Sequence, residues 1–170
     1  MASKKAFLAP LLTLIGLTSC AAELKPGDIA PAFSTVDQSG RTVQLSDYLG
    51  KFNVVLYFYP KDDTPGCTAQ ACSLRDGHGA ILATGAVVLG VSADDVTSHA
   101  AFSSKFHLPF PLLADPSKQI IDAYGVRMPA LGFAKRVTFI IDKQGVIRHM
   151  VSNVDTKAHD KQVLELLKGL

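Results

Sequence analysis

The residues Tyr59-Pro60-Lys61-Asp62-Asp63-Thr64-Pro65-Gly66-Cys67 put one cysteine where an apolar strand gives way to a helix. The run Val54 to Tyr59 ends at Pro60, which cannot donate to a central sheet ladder and so closes the strand. Pro65 suits a first helical turn, where a backbone N–H has no helical partner anyway. Cys67 then lies just inside a helix N-terminus, where free N–H groups and the positive end of the helix dipole favour a thiolate. The thiolate is the nucleophilic form of cysteine, so this segment builds a place for a reactive sulfur. An inert buried cysteine is the ordinary alternative for this residue type. The helix-start position and the polar loop argue against it. Thr64 stands where an N-cap residue is expected.

Pro60, Thr64 and Cys67 together form a P-x-x-x-T-x-x-C pattern, and a second string, Arg136-Val137-Thr138-Phe139-Ile140-Ile141-Asp142, follows later in the chain. Both resemble signatures of the peroxiredoxins, thiol peroxidases of the thioredoxin-like fold. The longer string YFYPKDDTPGCTAQACSLRD is similar to the Q-type, or bacterioferritin comigratory, subgroup. The resemblance runs from about Lys25 to about Leu167. It implies that Cys67 attacks peroxide, that Thr64 hydrogen-bonds the thiolate and the peroxide, and that Pro60 shapes the loop and shields the sulfur. It places the family's active-site arginine at Arg136. A fixed guanidinium favours a neighbouring thiolate and can hold an oxygen that gains negative charge as the O–O bond breaks. Lys135, adjacent on a strand, points to the opposite face. Two positions depart from the subgroup. Gln70 stands where glutamate is common, and Met128 to Phe133 is apolar where tryptophan and polar residues are common.

The cysteine count is three: Cys20, Cys67 and Cys72. On one helix, residues five apart differ by about 7.5 Å of rise and about 140° around the axis. A disulfide needs Cα atoms within about 7 Å and converging Cβ vectors. Cys67 and Cys72 cannot bridge while their helix is intact, which makes them a poor staple and, beside the peroxiredoxin signature, a cycling redox pair with Cys72 resolving. The five histidines show no metal spacing and read as surface or packing residues. Asp62-Asp63 reads as a solvated loop, Asp94-Asp95 as a helix-capping pair and Arg75-Asp76 as helix-surface charges.

These side chains need a scaffold, and the pattern supplies one. Residues 32–36 and 41–45 flank the turn-rich Asp37 to Gly40, which predicts a small N-terminal hairpin. Buried strands are expected at 53–59 and 85–92, a short strand at 110–114, and a second hairpin of 137–141 with 146–150. Helices are expected at 66–84, weakened by Gly77 and Gly79, from Asp94 to about His107, at 117–124 and at 156–168. Strands alternating with helices indicate an α/β fold: a mixed central sheet flanked by helices. The resemblance makes it thioredoxin-like, with the hairpin added at the N-terminus.

The chain of 170 residues is long enough for one domain with a real core. Residues 1–19 read as a secretory signal: Lys4 and Lys5 precede an uncharged, mostly apolar stretch too short to span a bilayer comfortably. Leu17-Thr18-Ser19-Cys20 resembles a bacterial lipobox, with Cys20 lipidated at the mature N-terminus. Residues 20–27 form a tether and 28–170 the folded domain. Removing the signal takes two lysines and no acids, so 17 basic and 15 acidic residues become 15 of each. That balance offers no basic field for nucleic acid, and contact with a membrane is expected only through the lipid.

The expectation is a periplasmic, lipid-anchored, monomeric thiol peroxidase without cofactor. It would reduce hydrogen peroxide and organic hydroperoxides and be recycled by a thioredoxin-like dithiol protein. The alternative is a disulfide oxidoreductase or redox sensor on the same fold. Its usual C-x-x-C motif is replaced here by C-x-x-x-x-C.

Overall fold

A computed structural model describes residues 23–170, so the signal, Cys20 and the start of the tether lie outside the described residues. Seven strands form one sheet: β1 (Ser34–Asp37), β2 (Thr42–Gln44), β3 (Asn53–Phe58), β4 (Ala86–Ser92), β5 (Leu112–Ala114), β6 (Val137–Ile141) and β7 (Ile147–Val151). Their spatial order is β2-β1-β5-β4-β3-β6-β7. β3, β4 and β5 run parallel, while β6 and β7 add antiparallel on one side and β1 and β2 on the other. The helices are α1 (Pro65–Asp76), α2 (His78–Ala83), α3 (Val96–Phe106), α4 (Gln119–Ala123) and α5 (His159–Leu167).

Every residue of β3 is buried, and its alternation divides the core. Val54, Leu56 and Phe58 point to a layer with Phe139, Ile141 and, from α4, Ile120 and Ile121. Val55 and Tyr57 point the other way, to Cys67 and Leu74 of α1, Ile81 of α2, Phe102 of α3 and Val163 of α5. Both faces of the central strand are thus covered by helices, which explains its uninterrupted apolar run. Gly90 pairs with Tyr57 across the parallel ladder. A Cβ at Gly90 would sit 2.7 Å from the Tyr57 hydroxyl, so only glycine lets the ring lie over β4.

Several helix and strand limits differ from those read in the sequence. The expected helix over 66–84 is two helices, broken at Gly77. A Cβ on Gly77 would lie 2.5 Å from Asp160 Cβ, so the break is where α1 meets the start of α5. β5 begins at Leu112, after Pro111, and its first N–H is taken by the Gln38 side chain at 2.8 Å. α4 starts only after Lys118, which adopts a left-handed conformation with φ 62°. α5 starts at His159, after a turn in which Ala158 N–H donates to the Asp155 carbonyl at 3.2 Å. Of the acidic pair before α3, only Asp95 caps the helix, accepting from Ser98 N at 2.8 Å.

Candidate active site

The parallel strands β3, β4 and β5 all end on one side of the sheet, the side on which open α/β sheets place their sites. β6 runs antiparallel to β3, with Val137 opposite Phe58, so the residue just before β6 comes to that same end. That residue is Arg136. The topology therefore joins two segments some seventy positions apart in sequence.

The loop leaving β3 is anchored by its acids. Asp62 turns inward and is buried. Its carboxylate accepts from the Tyr59 hydroxyl at 2.7 Å and the Ser98 hydroxyl at 2.7 Å, and lies 2.8 Å from His99 Nδ1. His99 Nε2 reaches the Leu113 carbonyl at 3.2 Å. The Asp62 N–H donates to Asp94 at 2.9 Å, and Ser92 Oγ donates to the same Asp94 oxygen at 2.7 Å. Burial alone would raise the Asp62 pKa, but the hydrogen bonds from His99, Tyr59 and Ser98 outweigh it and hold the carboxyl below its ordinary value. The expectation of a solvated Asp62 is thus corrected: only Asp63 is exposed, paired with Lys105 at 2.7 Å. His99 lies with Phe102 and Phe106 at i, i+3 and i+7 on α3, a spacing that marks it as a core-facing polar residue.

Thr64 occupies the N-cap position of α1 in extended conformation, and Pro65 is the first helical residue. The Thr64 hydroxyl makes no cap hydrogen bond; it donates to the Lys61 carbonyl at 3.0 Å. Cys67 is the third residue of α1 and is 2 % exposed. Its amide is among those without a helical acceptor. Arg136 Nη2 lies 3.3 Å from Cys67 Sγ. Gly66 permits this approach, since a Cβ there would stand 3.2 Å from the same nitrogen. Pro60 stands between Tyr59 and the loop. Cys72 lies on α1, partly exposed, and both it and Cys67 are free thiols.

Gln70, one turn beyond Cys67, is fully buried and accepts from Arg136 Nη1. Its amide nitrogen lies 3.1 Å from His159 Nδ1, and His159 Nε2 lies 3.1 Å from Thr138 Oγ1. Burial, reinforced by the positive charge of Arg136, lowers the His159 pKa to about 4. The histidine ring packs edge-on against Tyr57 at 6.4 Å. Tyr57 Oη is buried without a hydrogen-bond partner, the one such side-chain atom found among the described residues. Spacing arguments gave no hint of Gln70 and His159 as neighbours of the arginine. The signal that could have found His159 is its place at i, i+4 and i+8 with the buried Val163 and Leu167 of α5.

Among the described residues, no cluster of His, Cys, Asp or Glu could hold a metal ion. A cleft of about 500 Å³ is lined by Asn53, Asp142, Lys143 and Arg148 at the opposite end of β3 from Cys67. The sulfur itself sits in the apolar layer between β3 and α1, with Arg136 as its polar neighbour.

Residues 26–150 match the AhpC/TSA family. The chain is 41% identical over 150 residues to chloroplastic peroxiredoxin Q of Triticum aestivum, covering 87% of this chain and 69% of that protein. Peroxidoxin BcpB from Mycobacterium tuberculosis superposes with a TM-score of 0.81 at 34% identity, covering 86% of this chain and 98% of the other. A bacterioferritin comigratory protein of Xanthomonas campestris, studied for its alkyl peroxide reduction activity, gives a TM-score of 0.75 at 30% identity, covering 80% and 90%. With its mixed seven-stranded sheet flanked by helices, the chain belongs to the AhpC/TSA family and, within it, to the peroxiredoxin Q and bacterioferritin comigratory group of thiol peroxidases.

Proposed function

We propose that this peroxidase reduces hydrogen peroxide and small organic hydroperoxides through Cys67, with Cys72 as the resolving cysteine. The observation that carries the reading is the 3.3 Å contact of Arg136 Nη2 with Cys67 Sγ at the N-terminus of α1. The Cys67 thiolate attacks one peroxide oxygen. An S–O bond forms, the O–O bond breaks, and the leaving oxygen takes a proton to become water or an alcohol, leaving a sulfenic acid. Arg136 holds the oxygen on which negative charge develops. Thr64, beside the sulfur in sequence and at the cap of its helix, orients the incoming hydroperoxide, and Pro60 shapes the loop. α1 then unwinds locally, and the Cys72 thiol condenses with the sulfenic acid, releasing water and forming a disulfide. A thioredoxin-like dithiol protein restores both thiols by exchange and leaves as its own disulfide. The alkyl peroxide activity studied in the Xanthomonas relative supports the choice of substrate. The near-complete burial of Cys67 disfavours the alternative of a protein disulfide exchanger, whose sulfur must meet another protein's.

The same reading puts the enzyme in the bacterial cell envelope, anchored by lipid on Cys20 and facing the periplasm. The charged start, apolar stretch and lipobox-like Leu17 to Cys20 support it. Mass analysis of protein from a membrane fraction should show cleavage before Cys20 and a lipid adduct; an unmodified start at Ala22 or later would refute the anchor. An intramolecular resolving cysteine needs no second chain, so the working unit is a monomer.

Cysteine variants of the chain lacking residues 1–19, with Cys20 replaced, test the chemistry. Cys67→Ser should abolish peroxide consumption. Cys72→Ser should keep one fast oxidation per molecule and lose recycling by a dithiol protein. Loss of that first oxidation in Cys72→Ser would show that the roles are wrongly assigned.

A further inference from the structure

We infer that His159, the first residue of α5, is a positioning residue for peroxide reduction: acting through Gln70, it fixes the guanidinium of Arg136 beside Cys67. The inference rests on the reading of Cys67 as the peroxide nucleophile and assigns a part to a residue some ninety positions away from it.

The chain of contacts has only one consistent polarity. Arg136 has donors and no acceptor, so the Gln70 atom facing it is Oε1. Gln70 Nε2, carrying two hydrogens, therefore faces His159 Nδ1 at 3.1 Å. Nδ1 must offer its lone pair, which leaves the ring proton on Nε2, aimed at Thr138 Oγ1 at 3.1 Å. The downward shift of His159 to about 4 keeps the ring neutral near pH 7, as this polarity requires. Gln70, Thr138 and His159 are all fully buried, so no solvent competes for these groups.

The consequence for Arg136 is mechanical. A buried primary amide can rotate by half a turn at little steric cost. Rotated, Gln70 would set its NH₂ against the guanidinium, donor against donor, and drive Arg136 away from the sulfur. The acceptor at His159 Nδ1 is what makes the productive orientation the favoured one. The choice of glutamine over glutamate at position 70 fits this reading. A carboxylate would turn an acceptor toward Nδ1 and call for the other neutral tautomer, with the proton on Nδ1 and the Thr138 hydroxyl donating to Nε2, and it would set a negative charge against the Arg136 guanidinium. With an amide and a neutral imidazole, the guanidinium is the sole formal charge of the relay and its field is directed at Cys67.

The test compares, at a pH where Cys67 is fully a thiolate in every variant, the second-order rate of its oxidation by hydrogen peroxide with its rate of alkylation by iodoacetamide, a neutral reagent that develops no charge on a peroxide oxygen. His159→Leu should slow the peroxide reaction tenfold or more, on the order of what small misplacements cost, and change alkylation by no more than about threefold. His159→Asn, whose Oδ1 can stand in for Nδ1, should restore most of the peroxide rate. In an Arg136→Met background, His159→Leu should have no further effect, because the residue acts only through the arginine. Equal slowing of both reagents, or a full additional loss in the Arg136→Met background, would overturn the inference. Nitrogen NMR of the reduced wild-type protein gives a readout that needs no variant to fold: His159 should carry its proton on Nε2, and a proton on Nδ1 would overturn the relay. If wild-type protein does not react with peroxide, the proposed function itself fails; if it reacts and Arg136→Met is slow while His159→Leu is not, only this inference fails.

Discussion

Ser73 and Asp160 bind each other twice: the Ser73 hydroxyl donates to Asp160 Oδ1 at 2.7 Å, and the Asp160 N–H donates to Ser73 Oγ at 3.1 Å. Gln70 and Ser73, at i and i+3 on one face of α1, and Gly77, the residue that caps it, all meet the first turn of α5. A disulfide between Cys67 and Cys72 requires α1 to unwind. Gln70 lies inside the segment that must open and Ser73 directly follows it, so in the proposed switch the Ser73–Asp160 pair holds the boundary of the unwinding segment.

Ser73→Ala should weaken this hold by about 1 kcal/mol, the usual net worth of such hydrogen bonds. That raises the locally open population about fivefold. Intramolecular disulfide formation after a single oxidation, followed by rapid mixing and mass analysis, should accelerate by about that factor, and over-oxidation of Cys67 by excess peroxide should decline. An unchanged or slower closure rate would mean that unwinding is not limited at this face.

Arg136→Met removes the charge and keeps much of the bulk. Peroxide reactivity should fall by about 10²–10³-fold, the usual cost of losing one donor to a developing oxyanion. The fall should persist at pH values where the thiolate is fully formed, which separates transition-state stabilisation from ionisation. Gly66→Ala should cause a smaller loss, because its Cβ would stand 3.2 Å from Arg136 Nη2 and force a shift of a few tenths of an ångström. Wild-type rates in Arg136→Met at high pH would remove the arginine from the chemistry.

His99 and Asp62 form a buried pair that ties α3 to the loop carrying Thr64. Removing His99 strips the buried Asp62 carboxylate of one partner while Tyr59 and Ser98 remain, and losing one partner of a buried polar group typically costs about 1–3 kcal/mol. His99→Leu should lower stability toward urea by about that amount, whereas Lys105→Ala, which breaks the exposed pair with Asp63, should cost no more than about 1 kcal/mol. Similar losses in the two variants would contradict the distinction between them.

Cys67 and Arg136, which the fold brings to 3.3 Å, could be singled out in the sequence because their signals are local: a proline-bounded loop, a helix start and a strand-start arginine within a motif. The sheet was legible for the same reason, since β3 and β4 announce themselves by uninterrupted apolar runs. Asp62, His99, Gln70 and His159 were not, because each is defined by a partner tens of positions away. A carboxylate in a turn-rich loop looks solvated until the fold brings His99 beneath it. The helix expected over 66–84, with Gly77 and Gly79 as its weak points, is divided at Gly77, and what the sequence did not reveal is that Asp160 of the last helix packs against this glycine.

Buried neutral His159 also gives stability a pH dependence of definite sign. Its folded pKa is about 4, below the ordinary 6.5 expected for the unfolded chain. Between these values the unfolded state binds a proton that the folded state refuses, so stability rises with pH across this window. The contribution is fully present above about pH 6.5 and is lost as pH falls toward 4. A depression of that size corresponds to about 3 kcal/mol when complete. His78, lowered by burial, acts in the same direction, while Asp115, raised by burial, opposes it at the acid end. Asp37, Asp62 and Asp142 are held below 3.8, so their losses fall below the histidine window. Urea unfolding measured at intervals from pH 7 to pH 4.5 should therefore show a steady loss of stability in the wild-type protein and a flatter profile in His159→Leu. Parallel profiles for the two proteins would show that His159 is protonated in the folded state at mild pH, contrary to the polarity of its contacts with Gln70 and Thr138.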